Sequence, residues 1–366
     1  MKIILSATTS WNLFNSRMDL ARTLKEHGNE VVFISPRDEF TQYLLSENFR
    51  WVHFPLEPRG KNIFKELISI LFLISFYRRE KPDLVNHFTP KGVIYGSLAA
   101  KLAGVKRVFN TITGLGYVFS DEANKLIQTI VMLLYPIALA NTYTIFQNPD
   151  DQKLFYHKKI VNPRQSILIQ SSGVDTEKFQ FVPQAEGKPV VLLSSRFVEE
   201  KGIRYFVEAS RILKARKMDV VFVLVGKPEN NQPTSIPLEE IEQWISSGLV
   251  EWWGWHDDME EIYPKAHIVC LPTYYKEGVP KVLIEAAACG RSLIATDVPG
   301  CRAIVLDHEN GLLVPPRNAN TLAQAIEKLA LDPELRKRMG KRSREIAVSK
   351  FSVEKIISEY IKVYQI

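Results

Sequence analysis

At 366 residues the chain exceeds one typical core, and two domains of about 150 to 200 residues each are expected. Hydrophobic residues at 46% and charged residues at 24% are ordinary for a soluble globular protein. The formal charge of +6 lies wholly in the first half: residues 1–163 carry 20 Lys and Arg against 14 Asp and Glu, and residues 164–366 carry 27 against 27. A basic first half attracts nucleic acid, anionic lipid or a phosphorylated substrate, and no stretch resembles a nucleic-acid reader. Three cysteines without a Cys-x-x-Cys pair (Cys270, Cys289, Cys301) exclude a disulfide framework and a cysteine metal site, so a reducing cytosol is the simplest compartment. The N-terminus turns polar at Ser6, too soon for a signal-peptide core, and reads as a first strand.

The first half alternates strand and helix patterns. Candidate strands fall at 3–6, 30–35, 51–54, 83–87, 107–111 and 143–147, with helical stretches between most of them. That alternation predicts a parallel doubly wound sheet, whose ligand sites lie in the loops at the carboxyl ends of its strands. Three such loops follow: 7–16, 87–94 and 112–122.

In the first loop, a phosphate can meet the hydroxyls and amides of Thr8 to Ser10 before a helix beginning near Asn15, although no glycine is present to let the backbone approach closely. Ser10 is the candidate ligand-binding residue of this loop. The second loop puts His87 and Lys91 just past a strand, either as active-site groups or as a surface histidine and lysine at a strand end. The third, from Asn110 to Tyr117, is rich in hydroxyls and holds Gly114 and Gly116; with Thr113 it can wrap an anion or a sugar.

Two apolar stretches interrupt this picture, at 63–79 and 126–140. Each falls short of the ~20 residues a bilayer span requires. Each is either a buried helix or a helix that dips one face into a membrane surface, and Arg59, Lys61, Lys65, Arg78, Arg79, Lys125, Lys153, Lys158 and Lys159 flank or follow them.

The pattern breaks near 163–190, where the domain boundary is placed, giving 1–165 and 166–350 with a last amphipathic helix at 351–366. A second strand and helix series then opens at Val190. Its first loop carries Arg196 and Lys201 before a helix near Ile203, and two fixed cations at a helix entrance can clamp a diphosphate. The aromatic segment Trp252-Trp253-Gly254-Trp255 follows, either packing or lining a site. Ile268 to Leu271 reads as a buried strand leading into a polar loop and then a helix, with Pro280 suited to the first helical turn and Gly290 to its end. Backbone amides of Gly278 and Val279 at the positive end of that helix can hold a phosphate. Glu277 in the loop and Glu285 in the helix, with seven residues between them, can accept hydrogen bonds from sugar hydroxyls.

The run from Glu277 through Gly278-Val279-Pro280 to Glu285-Ala286-Ala287-Ala288-Cys289-Gly290 resembles the Glu, seven residues, Glu signature of retaining glycosyltransferases of family 4. Arg196 with Lys201-Gly202, Gly173-Val174-Asp175, Asn310-Gly311, and the phrases His87-Phe88-Thr89 and Thr113-Gly114-Leu115-Gly116 match the same family, so the resemblance covers essentially the whole chain. It implies the GT-B architecture, two Rossmann-like α/β domains facing each other across a cleft, with an N-terminal acceptor-binding domain completed by the C-terminal helix and a C-terminal nucleotide-sugar-binding domain. It further implies that Glu277 lies by the donor sugar, Glu285 binds the ribose, Arg196 and Lys201 bind the diphosphate, and backbone groups near Trp255 read the base. His87 would sit by the reacting centre.

The resulting expectation is a retaining transfer of a hexose or N-acetylhexosamine from a UDP-sugar to a polyprenyl-diphosphate-linked saccharide. No Asp-x-Asp sequence occurs, so no metal or other cofactor is expected. Expected partners are the UDP-sugar, the lipid-linked acceptor and an anionic membrane surface, with the protein cytoplasmic and peripheral at the inner face of the plasma membrane. The rival readings are a nucleotide-sugar 2-epimerase or a non-catalytic nucleotide-sugar-binding protein on the same fold.

Overall fold

The computed structural model describes residues 1–58, 60, 62–116, 124–229, 232–275 and 277–366. Arg59, Lys61, Tyr117 and Lys276 therefore lie outside the described residues, as does the end of the predicted 112–122 loop. The chain divides into two compact units, Met1–Ser172 with Glu354–Ile366, and Gly173–Val353.

The first unit holds a seven-stranded parallel sheet of order β3-β2-β1-β4-β5-β6-β7. Its strands are β1 (Lys2–Ser6), β2 (Glu30–Ser35), β3 (Arg50–His53), β4 (Leu84–Phe88), β5 (Arg107–Ile112), β6 (Tyr143–Phe146) and β7 (Ser166–Leu168). Helices α1 (Ser10–Glu26), α2 (Thr41–Ser46), α3 (Ile63–Glu80), α4 (Pro90–Ala103), α5 (Lys125–Leu139) and α6 (Pro149–His157) connect them. The strands read as unbroken apolar runs because helices cover both faces of a parallel sheet. Register puts Ile4, Val32, Val85 and Val108 side by side on the face covered by α3 and α4.

The second unit repeats the plan with a six-stranded parallel sheet, order β10-β9-β8-β11-β12-β13. Its strands are β8 (Val190–Ser194), β9 (Val221–Val225), β10 (Glu251–Trp252), β11 (Ile268–Leu271), β12 (Ser292–Thr296) and β13 (Gly311–Val314). Its helices are α7 (Ile203–Ala215), α8 (Leu238–Ser246), α9 (Met259–Ile262), α10 (Lys281–Ala288), α11 (Pro299–Ile304), α12 (Ala319–Leu331) and α13 (Pro333–Phe351). Two parallel-sheet α/β domains of this kind are the GT-B fold.

The boundary lies later than the sequence pattern places it. Residues 166–168 pair with β6, so the strand assigned to the second domain completes the first sheet, and the units divide at 172 and 173. The last helix, α14 (Val353–Tyr364), belongs to the first unit from Glu354 onward. Tyr360 and Tyr364 are buried there, and Asn86 Nδ2 donates to the Tyr364 hydroxyl at 2.5 Å.

Candidate donor and acceptor sites

The second unit brings the Lys201 loop and the Glu277 loop together. A single 3-10 turn, Glu199–Lys201, ends at Gly202, whose φ of 77° is left-handed. A Cβ at Gly202 would overlap the Pro272 carbonyl, so only glycine lets this turn press onto the segment after β11. The Glu200 carbonyl accepts from Thr273 Oγ1 at 2.9 Å and from the Tyr274 amide at 3.0 Å, which joins the two loops. Lys201 Nζ consequently donates to Glu277 Oε1 at 2.8 Å. Thr273 Oγ1 lies 3.1 Å from that same oxygen, so its one proton serves either Glu200 or Glu277.

Glu277 precedes the entrance of α10, with Pro280 as its N-cap residue. Gly278, Val279 and Pro280 are buried there, and Gly300 at the start of α11 approaches so closely that a Cβ would overlap the Gly278 carbonyl. Glu285 stands on α10, buried, accepting from the Tyr263 hydroxyl at 3.1 Å and facing Lys281 Nζ at 3.6 Å. Burial pushes its carboxyl above the usual range, against the pull of Lys281 and Tyr263. A carboxylate held in a desolvated place at that cost is suited to a hydroxyl-bearing ligand, which restores the hydrogen bonds lost from water.

Arg196, after β8, pairs with Glu229 Oε2 at 2.5 Å on the loop after β9. That loop also receives the aromatic segment: the Gly226 amide donates to the Gly254 carbonyl at 2.7 Å, and Lys227 Nζ sits 4.8 Å from the Trp255 ring centroid. Trp255 is 40% exposed, its Nε1 donating to Asp257, so it lines a rim rather than a core.

The first unit corrects three expectations. His87 is not in the loop but inside β4, fully buried, on the face covered by α4. Its Nε2 accepts from the Tyr77 hydroxyl at 3.1 Å, and its Nδ1 donates to Asn110 Oδ1 at 3.0 Å. This tautomer is assigned from the partners, since an amide oxygen only accepts. Burial lowers the imidazole pKa to about 4. With both nitrogens used and no exposure, His87 is a structural group of the core, not an active-site one.

Ser10 opens α1 as a fully buried residue, its hydroxyl bonded to Ser35 at 2.7 Å and Thr41 at 2.9 Å. Asp38 Oδ2 accepts from the Ser10 and Trp11 amides at 2.7 and 3.2 Å, so a carboxylate of the chain already fills the helix end proposed for a phosphate. The helix also starts at Ser10 rather than near Asn15, because Thr9 caps it by accepting from the Asn12 amide. Lys91 is likewise committed: its Nζ donates to Glu66 Oε1 at 2.6 Å and to the carbonyls of Glu57 and Gly60. It braces α3 against α4 and has no amine left over for an acceptor. Thr113 and Gly114 do stand just past β5, half-buried and buried, with Gly114 at φ 108°.

Sequence reasoning missed Thr273, Tyr263 and Glu229 as partners of the site. Tyr263 and Glu229 lie 22 and 33 residues from the groups they touch, and nothing local announces such contacts. Lys281, one helical turn before Glu285, was missed as well, although its i,i+4 spacing is a local signal that points to it.

The second unit thus holds a paired Lys201 and Glu277 at one helix entrance and a buried Glu285 on the same helix. The family model for Glycosyl transferases group 1 matches residues 174–346, and that for Glycosyl transferase 4-like matches residues 2–148. The chain is 31% identical over 293 residues to the lipopolysaccharide core biosynthesis glycosyltransferase LpsE of Rhizobium meliloti, covering 78% of this chain and 76% of LpsE. It is 28% identical over 370 residues to the N,N'-diacetylbacillosaminyl-diphospho-undecaprenol alpha-1,3-N-acetylgalactosaminyltransferase of Campylobacter jejuni, covering 96% and 95% of the two chains. Among solved structures, Anabaena Alr3699/HepE in complex with UDP-glucose superposes with a TM-score of 0.83 at 18% identity, over 100% of this chain and 99% of that one, a likeness of fold. The protein belongs to the glycosyltransferase group 1 family and is a glycosyltransferase.

Proposed function

We propose that the protein transfers a hexose or N-acetylhexosamine from a UDP-sugar to a hydroxyl of a polyprenyl-diphosphate-linked saccharide, with retention of anomeric configuration, during surface polysaccharide or glycan assembly. The observation that carries the donor half is the Lys201–Glu277 pair at the entrance of α10, with Glu285 on the same helix. Lys201 and Arg196 neutralise the diphosphate as the sugar bond breaks, assisted by the Gly278 and Val279 amides and the helix beginning after Pro280. Glu277 accepts from a donor-sugar hydroxyl, Glu285 from the ribose, and the backbone near Trp255 reads the base. The acceptor oxygen bonds to the anomeric carbon as the carbon–phosphate oxygen bond breaks, and the leaving phosphate oxygen takes the acceptor's proton.

The Campylobacter relative, whose name specifies a diphospho-undecaprenol acceptor, supports the lipid-linked acceptor; in this reading Thr113 and Gly114, just past β5, bind it. No helix of the described residues is long and apolar enough to cross a membrane. In this reading the protein meets its acceptor peripherally, at the anionic inner face of the plasma membrane. The test is UDP release from a panel of UDP-sugars with and without a polyprenyl diphosphate-linked acceptor. Acceptor-dependent release with a retained anomeric centre is expected. Appearance of a 2-epimer, or donor binding with no transfer across the panel, would replace this reading with one of its rivals.

A further inference from the structure

Two helices of the first unit carry apolar faces left bare among the described residues. On α3, Ile63, Phe64, Leu67, Ile68 and Leu71 are 52–76% exposed, whereas Leu73, Phe76 and Tyr77 on the inner side are buried. On α5, Leu126, Ile130, Leu133 and Ile137 are 47–68% exposed, and the inner Tyr135, Ala138 and Leu139 are buried. The spacing of three and four residues makes each set one continuous stripe. Helix α4 packs against both, so the two stripes belong to one helical layer.

That layer has a direction. Helix α3 follows β3 and α5 follows β5, so both begin at the carboxyl edge of the parallel sheet, the edge that carries Thr113 and Gly114. On α3 the bare residues stop at Leu71, which concentrates its apolar face at that edge. Lys91 braces the first turns of α3 against α4 through Glu66, so the stripe is held in place.

Charge selects the occupant. Helices α3, α4 and α5 carry six basic residues (Lys65, Arg78, Arg79, Lys91, Lys101, Lys125) and two acids (Glu66, Glu80); Lys91 is spent on Glu66 and Lys65 pairs with Glu57, which leaves Arg78, Arg79, Lys101 and Lys125 to flank the stripes. Both acids are engaged, Glu66 by Lys91, and Glu80 by Arg50 and Lys2, which hold its carboxyl at about 2. A second copy docked face to face would set cation against cation. An anionic lipid surface offers hydrocarbon to the stripes and phosphate to the flanking cations.

We infer that the bare faces of α3 and α5 together form a lipid-insertion surface that seats the carboxyl edge of the first sheet beside an anionic bilayer. The inference rests on the proposed lipid-linked acceptor for its purpose: a diphosphate at headgroup level would reach the Thr113 loop without leaving the membrane.

The full chain is co-sedimented with phosphatidylglycerol-containing vesicles and with pure phosphatidylcholine vesicles. Wild type is compared with Phe64→Glu/Leu67→Glu on α3, Ile130→Glu/Leu133→Glu on α5, and Leu331→Glu, an exposed apolar position on α12 of the second unit. Binding is expected to prefer the anionic vesicles, to fall about tenfold in each helix variant, and to be unaffected by Leu331→Glu. Unchanged circular dichroism and thermal midpoint in every variant confirm that the first unit is folded, and unchanged UDP affinity confirms the second. Sedimentation indifferent to both helix variants overturns the inference, as does a wild-type dimer in buffer that these variants dissociate while no vesicle binding is seen. The same proteins are assayed with a water-soluble short-chain diphosphate acceptor. Retained transfer with lost sedimentation supports the surface; the expected sedimentation pattern without any transfer supports it too, and removes only the acceptor reading.

Discussion

Lys201 and Glu277, 76 residues apart in the chain, form a 2.8 Å ion pair whose side chains are 14% and 17% exposed. A sheltered pair is screened less than one on the surface, so an arriving diphosphate competes with Glu277 for Lys201. Lys201→Ala is expected to weaken UDP binding by about 1.5 to 3 kcal/mol, the range of a charge-assisted hydrogen bond. Glu277→Gln should leave UDP affinity unchanged or severalfold tighter while turnover falls. Calorimetric titration and initial rates check this; a parallel loss of UDP affinity in Glu277→Gln would defeat the assignment of Glu277 to the sugar.

Arg196 presents the same competition more openly, since its partner Glu229 is on a rim loop. Arg196→Ala should cost UDP binding about 1.5 to 3 kcal/mol. Glu229→Gln should not weaken it. Equal losses in the two variants would mean that the pair builds the loop rather than holding Arg196 until the donor arrives.

Glu285 is the case where function and stability oppose each other. Its carboxyl is raised by burial, so the charged form burdens the folded state, and that burden is relieved as pH falls. Glu285→Gln should therefore raise the dissociation constant for UDP, because the ribose is common to donor and product, without lowering the thermal midpoint near neutral pH. A variant that keeps wild-type UDP affinity would take the ribose contact away from Glu285.

His87 and Gly96 are predicted to be coupled. A Cβ at Gly96 would overlap the His87 ring, so Gly96→Ala should destabilise the first unit by about 1 to 3 kcal/mol, despite alanine's better helix propensity. On a His87→Ala background the same change should be neutral or stabilising. Additive effects in that double-mutant cycle would show that ring and helix do not share the space.

The same histidine gives the first unit an acid limit. Folded His87 titrates at about 4 against 6.5 for an unperturbed imidazole. Between those values the unfolded chain binds a proton that the folded chain refuses, so stability falls as pH drops through 6.5 and levels off below about 4. The effect is about 3 kcal/mol at most. Unfolding midpoints of wild type and His87→Asn across this window should differ in slope; identical pH profiles would mean that other groups set the limit.

The sequence by itself determined the alternation of strands and helices in both units and the glycine and proline punctuation around α10, and it singled out Lys201, Glu277 and Glu285 as candidates. Periodicity and motif spacing are local properties, and these elements are bounded by local chemistry. Three further matters were settled only by tertiary structure. The strand at 166–168 joined the first sheet because β6 offered it a pairing edge, which no window of sequence contains. His87, Ser10 and Lys91 were polar residues near strand ends that looked available; partners 10, 25 and 25 residues away, Tyr77, Ser35 and Glu66, consumed their hydrogen bonds. The apolar stretches at 63–79 and 126–140 were ambiguous between core and surface, since hydrophobicity alone does not say which side of a helix finds a neighbour. Packing against the sheet and α4 buried one side of each and left the other bare.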